Sequence, residues 1–217
     1  MCDITIGLPD LRTLFEEMPS MQPADSWQSV AKGLRSNVSK MSRAVESEAM
    51  SAIEWRNRFD TVVRLGHINS HLAGQRISGA PVFEAEAARM GAIVGDLESP
   101  YIQGFYQDLL SGAYVDGDGV FKTNQFINRM MMYVQKTRGT AYDGFVYGSP
   151  GATFDWKIGA VEDSCPECPV WAEGGPYTED TLAIKPGSGD TTCLTNCKCY
   201  LVRHDGVLGP LPFGVNP

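Results

Sequence analysis

Thiols are the side chains best equipped to do chemistry in this chain, and five of its six cysteines fall between positions 165 and 199. Cys165 and Cys168 stand in D-S-C-P-E-C-P-V-W, and Cys193, Cys197 and Cys199 stand in G-D-T-T-C-L-T-N-C-K-C-Y. A C-x-x-C turn aims two sulfurs the same way, and a second cluster arriving from further along the chain completes the ligands of a tetrahedral ion. The spacing predicts a structural zinc site with four ligands drawn from these five thiols. Cys165 and Cys168 form its surer half, while the C-x-C pair competes with Cys193 for the two remaining places. His204 is a distant reserve, and Cys2 is too remote in sequence to be favoured. The same thiols could instead pair as disulfides or remain unlinked. A redox-active C-P-E-C would need a lowered thiol pKa at a helix start. Pro169 directly after the motif, and no βαβ pattern before it, speak against that reading.

The run between the two clusters carries Gly174, Gly175, Pro176, Pro186, Gly187 and Gly189 and few apolar residues. Such a run cannot bury enough surface to offset its own ordering entropy. A cross-link through the cysteines is therefore expected to hold it.

Other chemistry-bearing patterns are weaker. His67 and His71 share a helix face at i, i+4, but the carboxylate of an H-E-x-x-H motif is missing and no third ligand stands out. A surface or packing role is expected for both. The segment G187-S-G-D-T-T lacks the lysine of a P-loop, and no G-x-S-x-G elbow occurs. A Cys–His nucleophile can assemble in space, so a thiol-dependent enzyme using Cys165 or Cys197 stays open as an alternative. Five clustered cysteines are nevertheless an odd way to place one nucleophile, and a non-catalytic protein is expected. The turn V-D116-G-D-G119-V invites an EF-hand reading, but Phe121 occupies the sixth position, where that loop needs glycine. A D-G turn between short extended pieces is predicted instead.

Composition bounds the remaining choices. The 217 residues are 43% hydrophobic and 10% aromatic, which suits one ordinary domain with an appendage or two small ones. A net charge of −8 argues against extensive nucleic-acid binding, which needs lysine and arginine stripes to displace counterions. No apolar run is long enough to span a membrane. The first ten residues lack the basic and apolar regions of a secretory signal, so none is expected there. Clustered cysteines without such a signal point to a reducing compartment, where metal binding is favoured over disulfides.

The elements that must position the thiols follow from periodicity. Leu8, Leu11, Leu14 and Phe15 predict a short docking helix ended by Pro19. Asp25 is the expected N-cap of the next helix, with Gln28 as its capping-box partner. Apolar residues from Trp27 to Val63 recur at helical spacing, predicting one long helix or two abutting ones that reach Gly74 as a C-cap. Residues 75–81 are expected to form a loop. A helix over Val82–Leu97 carries a small-residue side, and Ser99 and Pro100 begin another that Gly112 stops. Thr123 caps a helix to about Arg138, after which Gly139, Asp143–Gly144 and Gly148–Gly151 break the chain. Phe154, Trp156 and Ile158 suggest a strand. The tail from Gly206 reads as an extended arm and, with the Leu8–Phe15 helix, as a contact element.

The C-terminal pattern also carries a resemblance. Trp156, the acidic Asp163 shortly before C-P-E-C, G175-P-Y, P186-G and N196-C-K-C together resemble the C-terminal signature of tailed-phage head morphogenesis proteins, the Mu F-like minor head proteins. The likeness covers residues 156–201. Many members carry His–Pro before the final N-C-R-C where this chain has Cys193, and Lys198 stands where arginine is usual. The resemblance implies a structural component of a phage head, present in multiple copies. It would bind portal, coat or connector proteins in the virion after assembly in the bacterial cytoplasm. A non-viral, zinc-stabilised interaction module is the alternative. The expected fold is mainly α: a helical body over residues 1–148, then a small irregular cysteine-rich zinc-binding module over residues 149–217.

Overall fold

The computed structural model describes residues 26–159 and 165–213. The expected Leu8–Phe15 helix lies outside them, as does Asp25. The chain is mainly helical, with a cysteine-rich C-terminal region built on a two-stranded sheet. Its elements are α1 (Trp27–Glu46), α2 (Ala52–Ser78), α3 (Glu84–Leu110), α4 (Thr123–Tyr147), β1 (Phe154–Lys157), α5 (Glu167–Gly174), a single 3-10 turn (Leu194–Asn196) and β2 (Tyr200–Arg203).

The helix of α1 buries Trp27, Val30, Ala31, Leu34, Val38 and Met41, the stripe its periodicity predicts. Its cap is Ser26, whose hydroxyl accepts from the Ser29 amide. Gln28 is not a capping partner; its side chain donates to the Leu211 carbonyl in the tail. The long apolar stripe is two helices. Glu48 takes a left-handed φ of 57°, and Ser51 then opens α2 with a reciprocal capping box to Glu54. That S-x-x-E signal supplies acceptors to two orphan amides at the new start, and so it fixes the break.

Several helix boundaries differ from expectation, and at the glycines the reason is tertiary packing. Gly74 does not end α2, which runs to Ser78 and is capped by Gly79 at φ 79°. A Cβ on Gly74 would collide with the Ala141 carbonyl of α4, and one on Gly144 would collide with the His71 carbonyl of α2. These glycines let α2 and α4 cross backbone to backbone, and α4 accordingly runs through Gly139 and Gly144 to Tyr147. Likewise α3 is continuous from Glu84 to Leu110, with Pro100 inside it rather than starting a new helix. The predicted loop over 75–81 shrinks to the few residues between Ser78 and Glu84. Thr123 is the first residue of α4 and not its cap; its hydroxyl donates to Glu46.

Helix α2 touches α1, α3 and α4, and α1 also packs on α4. Their shared core centres on Trp55, whose ring lies 4.8–5.3 Å from those of Phe59, Phe105 and Phe126. Between α3 and α4 the D-G turn forms as predicted. Val115 bridges Phe121, and the Asp116 carboxylate accepts from the amides of Asp118 and Val120.

A second apolar cluster starts at Tyr142, Phe145 and Val146 on the last turns of α4 and continues through Phe154, Trp156, Tyr177, Leu182 and Leu201. Strands β1 and β2 pair antiparallel, with Trp156 opposite Leu201 and Lys157 opposite Tyr200. The tail is not an extended arm over its described part. Gly209 donates to Leu201, and the Phe213 ring packs tilted against Trp27 at 5.0 Å, with the Arg35 guanidinium 3.9 Å over its own ring.

Candidate metal centre

The two cysteine segments meet beside the sheet. The Cys168 amide donates to the Cys165 carbonyl at 3.1 Å, closing a tight turn that runs into α5. The second segment is shaped by Leu194, held at a left-handed φ of 50°, and by the 3-10 turn in which the Asn196 amide donates to Cys193. Arg138, buried in α4, donates from Nη2 to the Cys197 carbonyl at 2.6 Å. Cys199 directly precedes β2, whose pairing with β1 fixes it.

All five sequence-predicted residues are brought together. Their sulfurs form two sets of three, Cys165–Cys168–Cys193 and Cys168–Cys197–Cys199, and within each set every sulfur lies within 4.8 Å of the others. Cys168 belongs to both. All five are free thiols. The closest pair, Cys165 and Cys168, is 3.0 Å apart. That is longer than an S–S bond of about 2.05 Å and shorter than the roughly 3.8 Å between sulfurs at a tetrahedral zinc. Each set supplies three of the four ligands that a tetrahedral ion takes.

Electrostatics favour a cation among them. Burial pushes the Cys168 and Cys193 thiols up, Cys193 to about 11. The hydrogen bond to Cys199 and then burial push Cys197 up as well. Burial opposes ionisation of Cys165 too, but hydrogen bonds from Cys168 and Cys193 outweigh it and leave that thiol below its ordinary value. Crowded, desolvated sulfurs resist becoming several anions at once; a bound cation reverses that and deprotonates them. The donor set, all thiol with no carboxylate in either group, suits a soft or borderline ion.

Glu167, inside C-P-E-C, is a site residue that sequence reasoning missed. Its carboxylate accepts from the Thr192 amide at 2.6 Å and the Thr192 hydroxyl at 2.7 Å, joining the two cysteine segments. Arg138 was missed as well. Each owes its role to a partner distant in sequence, 25 residues away for Glu167 and 59 for Arg138.

The histidines stand elsewhere. His67 and His71 are both buried in α2. His67 Nδ1 pairs with the Thr140 hydroxyl at 2.7 Å and Nε2 with Glu98 at 3.2 Å. His71 Nδ1 accepts from Gln75 at 2.9 Å. Of the surface or packing role expected of them, both take the buried, packing one. Glu98, 1% exposed, carries no signal in the sequence, where it falls between two expected helices. Burial works to raise its carboxyl, but the hydrogen bond and charge of His67 and the charge of Lys136, 3.1 Å away, hold it below the ordinary value. His204 enters neither sulfur set; its amide donates to Thr153.

No protein-family model, curated protein or solved structure matches this chain. Among the described residues, no helix is long and apolar enough to cross a membrane. The fold and site therefore define the chain as a helical protein with a cysteine cluster able to hold a metal ion.

Proposed function

We propose that the cysteine cluster holds a structural zinc ion and that the chain is a non-catalytic structural component of a tailed-phage head. The observation that carries the structural reading is burial: Cys168, Cys197 and Cys199 are 2%, 1% and 3% exposed. A catalytic metal keeps an open position for water or substrate, whereas a structural one is closed. The cavity that reaches Cys197, between Arg138, Trp27 and Phe213, measures about 60 Å³, far below the several hundred of a substrate pocket. Zinc is the ion favoured by an all-thiol set of four-coordinate capacity with no further demand on geometry.

The head assignment rests on the resemblance of residues 156–201 to Mu F-like minor head proteins. The metal would hold the Gly- and Pro-rich module rigid on the helical body, and the body's outer faces would meet portal, coat or connector proteins. Co-purification with particles tests it. A tagged copy expressed during phage growth should appear in purified heads, and its absence from heads while abundant in the lysate would leave the non-viral interaction module as the better reading.

The thiol-enzyme reading draws on Cys165, half-buried and with a lowered pKa. Chelation discriminates: a nucleophile at Cys165 reacts at the same rate whatever the metal content, whereas metal-bound Cys168, Cys197 and Cys199 resist alkylation until a chelator is added.

A further inference from the structure

The five thiols exceed by one the four that a tetrahedral ion accepts, and the surplus is not distributed evenly. Cys168, Cys197 and Cys199 are fully buried, lie within 4.8 Å of one another, and sit on supports fixed by the rest of the fold. Those supports are the first turn of α5, the carbonyl clamp from Arg138, and the start of β2. Cys165 and Cys193 are only half-buried. They lie within 4.8 Å of each other and of Cys168, so both face the same corner of the cluster. Cys165 is tied there by the tight turn to Cys168, and Cys193 by the Thr191 hydroxyl at 3.2 Å and the 3-10 turn.

Building on the metal reading above, we infer that the ion has three fixed ligands, Cys168, Cys197 and Cys199, and a fourth place for which Cys165 and Cys193 are interchangeable. Whichever thiol is displaced stays beside the occupied site as the unbound fifth sulfur. Zinc coordination is filled by four sulfurs, and a fifth thiolate would add negative charge to a centre already at −2. The arrangement makes the fourth position exchangeable without releasing the ion, since one sulfur leaves as its neighbour arrives. It also means that C-P-E-C is not the indispensable half of the site that its spacing suggests.

Metal titration of the full-length chain tests this, using zinc for stoichiometry and affinity and cobalt(II) for its sulfur-to-metal absorption. The variants are Cys165→Ala, Cys193→Ala, the double variant and Cys168→Ala. The two single variants at the shared corner are each expected to keep about one equivalent of metal, weakened by about 10-fold or less. The double variant and Cys168→Ala are expected to lose at least about 100-fold, as removal of a ligand should. Peptide mapping after brief alkylation of metal-loaded wild type guards against variants that misfold. Label at this cluster is expected on Cys165 and Cys193, each in part, and not on Cys168, Cys197 or Cys199. Loss of metal from only one of the two single variants, or label confined to one of the two residues, would make the other a fixed ligand and overturn the inference. Two equivalents in wild type would overturn it as well. Wild type that binds no metal contradicts the metal reading itself, a result distinct from any of these.

Discussion

At the residue scale, the cysteines were legible because thiol chemistry depends on type and spacing, both of which a sequence displays. Their supports were not. Glu167 looks like an ordinary surface carboxylate until Thr192 arrives from 25 residues away. Removing its charge with Glu167→Gln should weaken metal retention, read as faster zinc loss to a chelator; an unchanged rate would reduce the Thr192 bridge to a surface contact. Glu98 makes a pH-dependent contribution whose sign is fixed by its lowered pKa. Its stabilisation is present above the unfolded value of about 4.3 and is lost as pH falls through the folded value. Glu98→Gln should therefore cost about 1–3 kcal/mol at pH 7, with the gap to wild type closing below about pH 4. Urea denaturation at both pH values measures it, and a gap that widens in acid would contradict the assignment.

At the element scale, apolar periodicity located the helices but misplaced several ends. Gly74, Gly139 and Gly144 were read as stops because glycine is a poor helix residue in isolation. Here they serve close approach: Gly74 and Gly144 at the α2–α4 crossing, and Gly139 under the backbone of Ser188. A single chain cannot reveal whether a glycine marks an end or a contact, since that depends on what lies across from it. Gly144→Ala should destabilise by about 1–3 kcal/mol or more, because a backbone carbonyl cannot step aside as a side chain can; thermal unfolding within error of wild type would contradict the crossing. Pro100 carries the opposite expectation. It is exposed within a continuous helix and leaves one helical hydrogen bond unmade. Pro100→Ala should raise stability, by up to about 3 kcal/mol, and a thermal unfolding midpoint unchanged or lowered would contradict this account of Pro100.

At the scale of the whole molecule, the division into a helical core and a second cluster resting on the end of α4 bears on how the chain unfolds. The first core has its own buried aromatic centre, whereas the cysteine region holds a two-stranded sheet and long irregular stretches. The ion's binding free energy, on the order of 10 kcal/mol in small zinc modules, would supply much of that region's order. Cys168→Ser should accordingly expose residues 165–213 to limited proteolysis while α1–α4 stay protected. The tail shows where sequence reasoning stops. Its prolines and glycines resemble a linker, yet Phe213 fills a position against Trp27 and Arg35 that composition does not announce. Deleting it would disturb the body as well as any partner contact.

The central claim is that the clustered thiols hold structural zinc, and elemental analysis with a parallel thiol count tests it most directly. Protein purified without chelators should carry about one equivalent of zinc per chain and release it together with newly reactive thiols when a strong chelator is added. Zinc below about a tenth of an equivalent, with the cysteines freely reactive from the outset, would contradict the account.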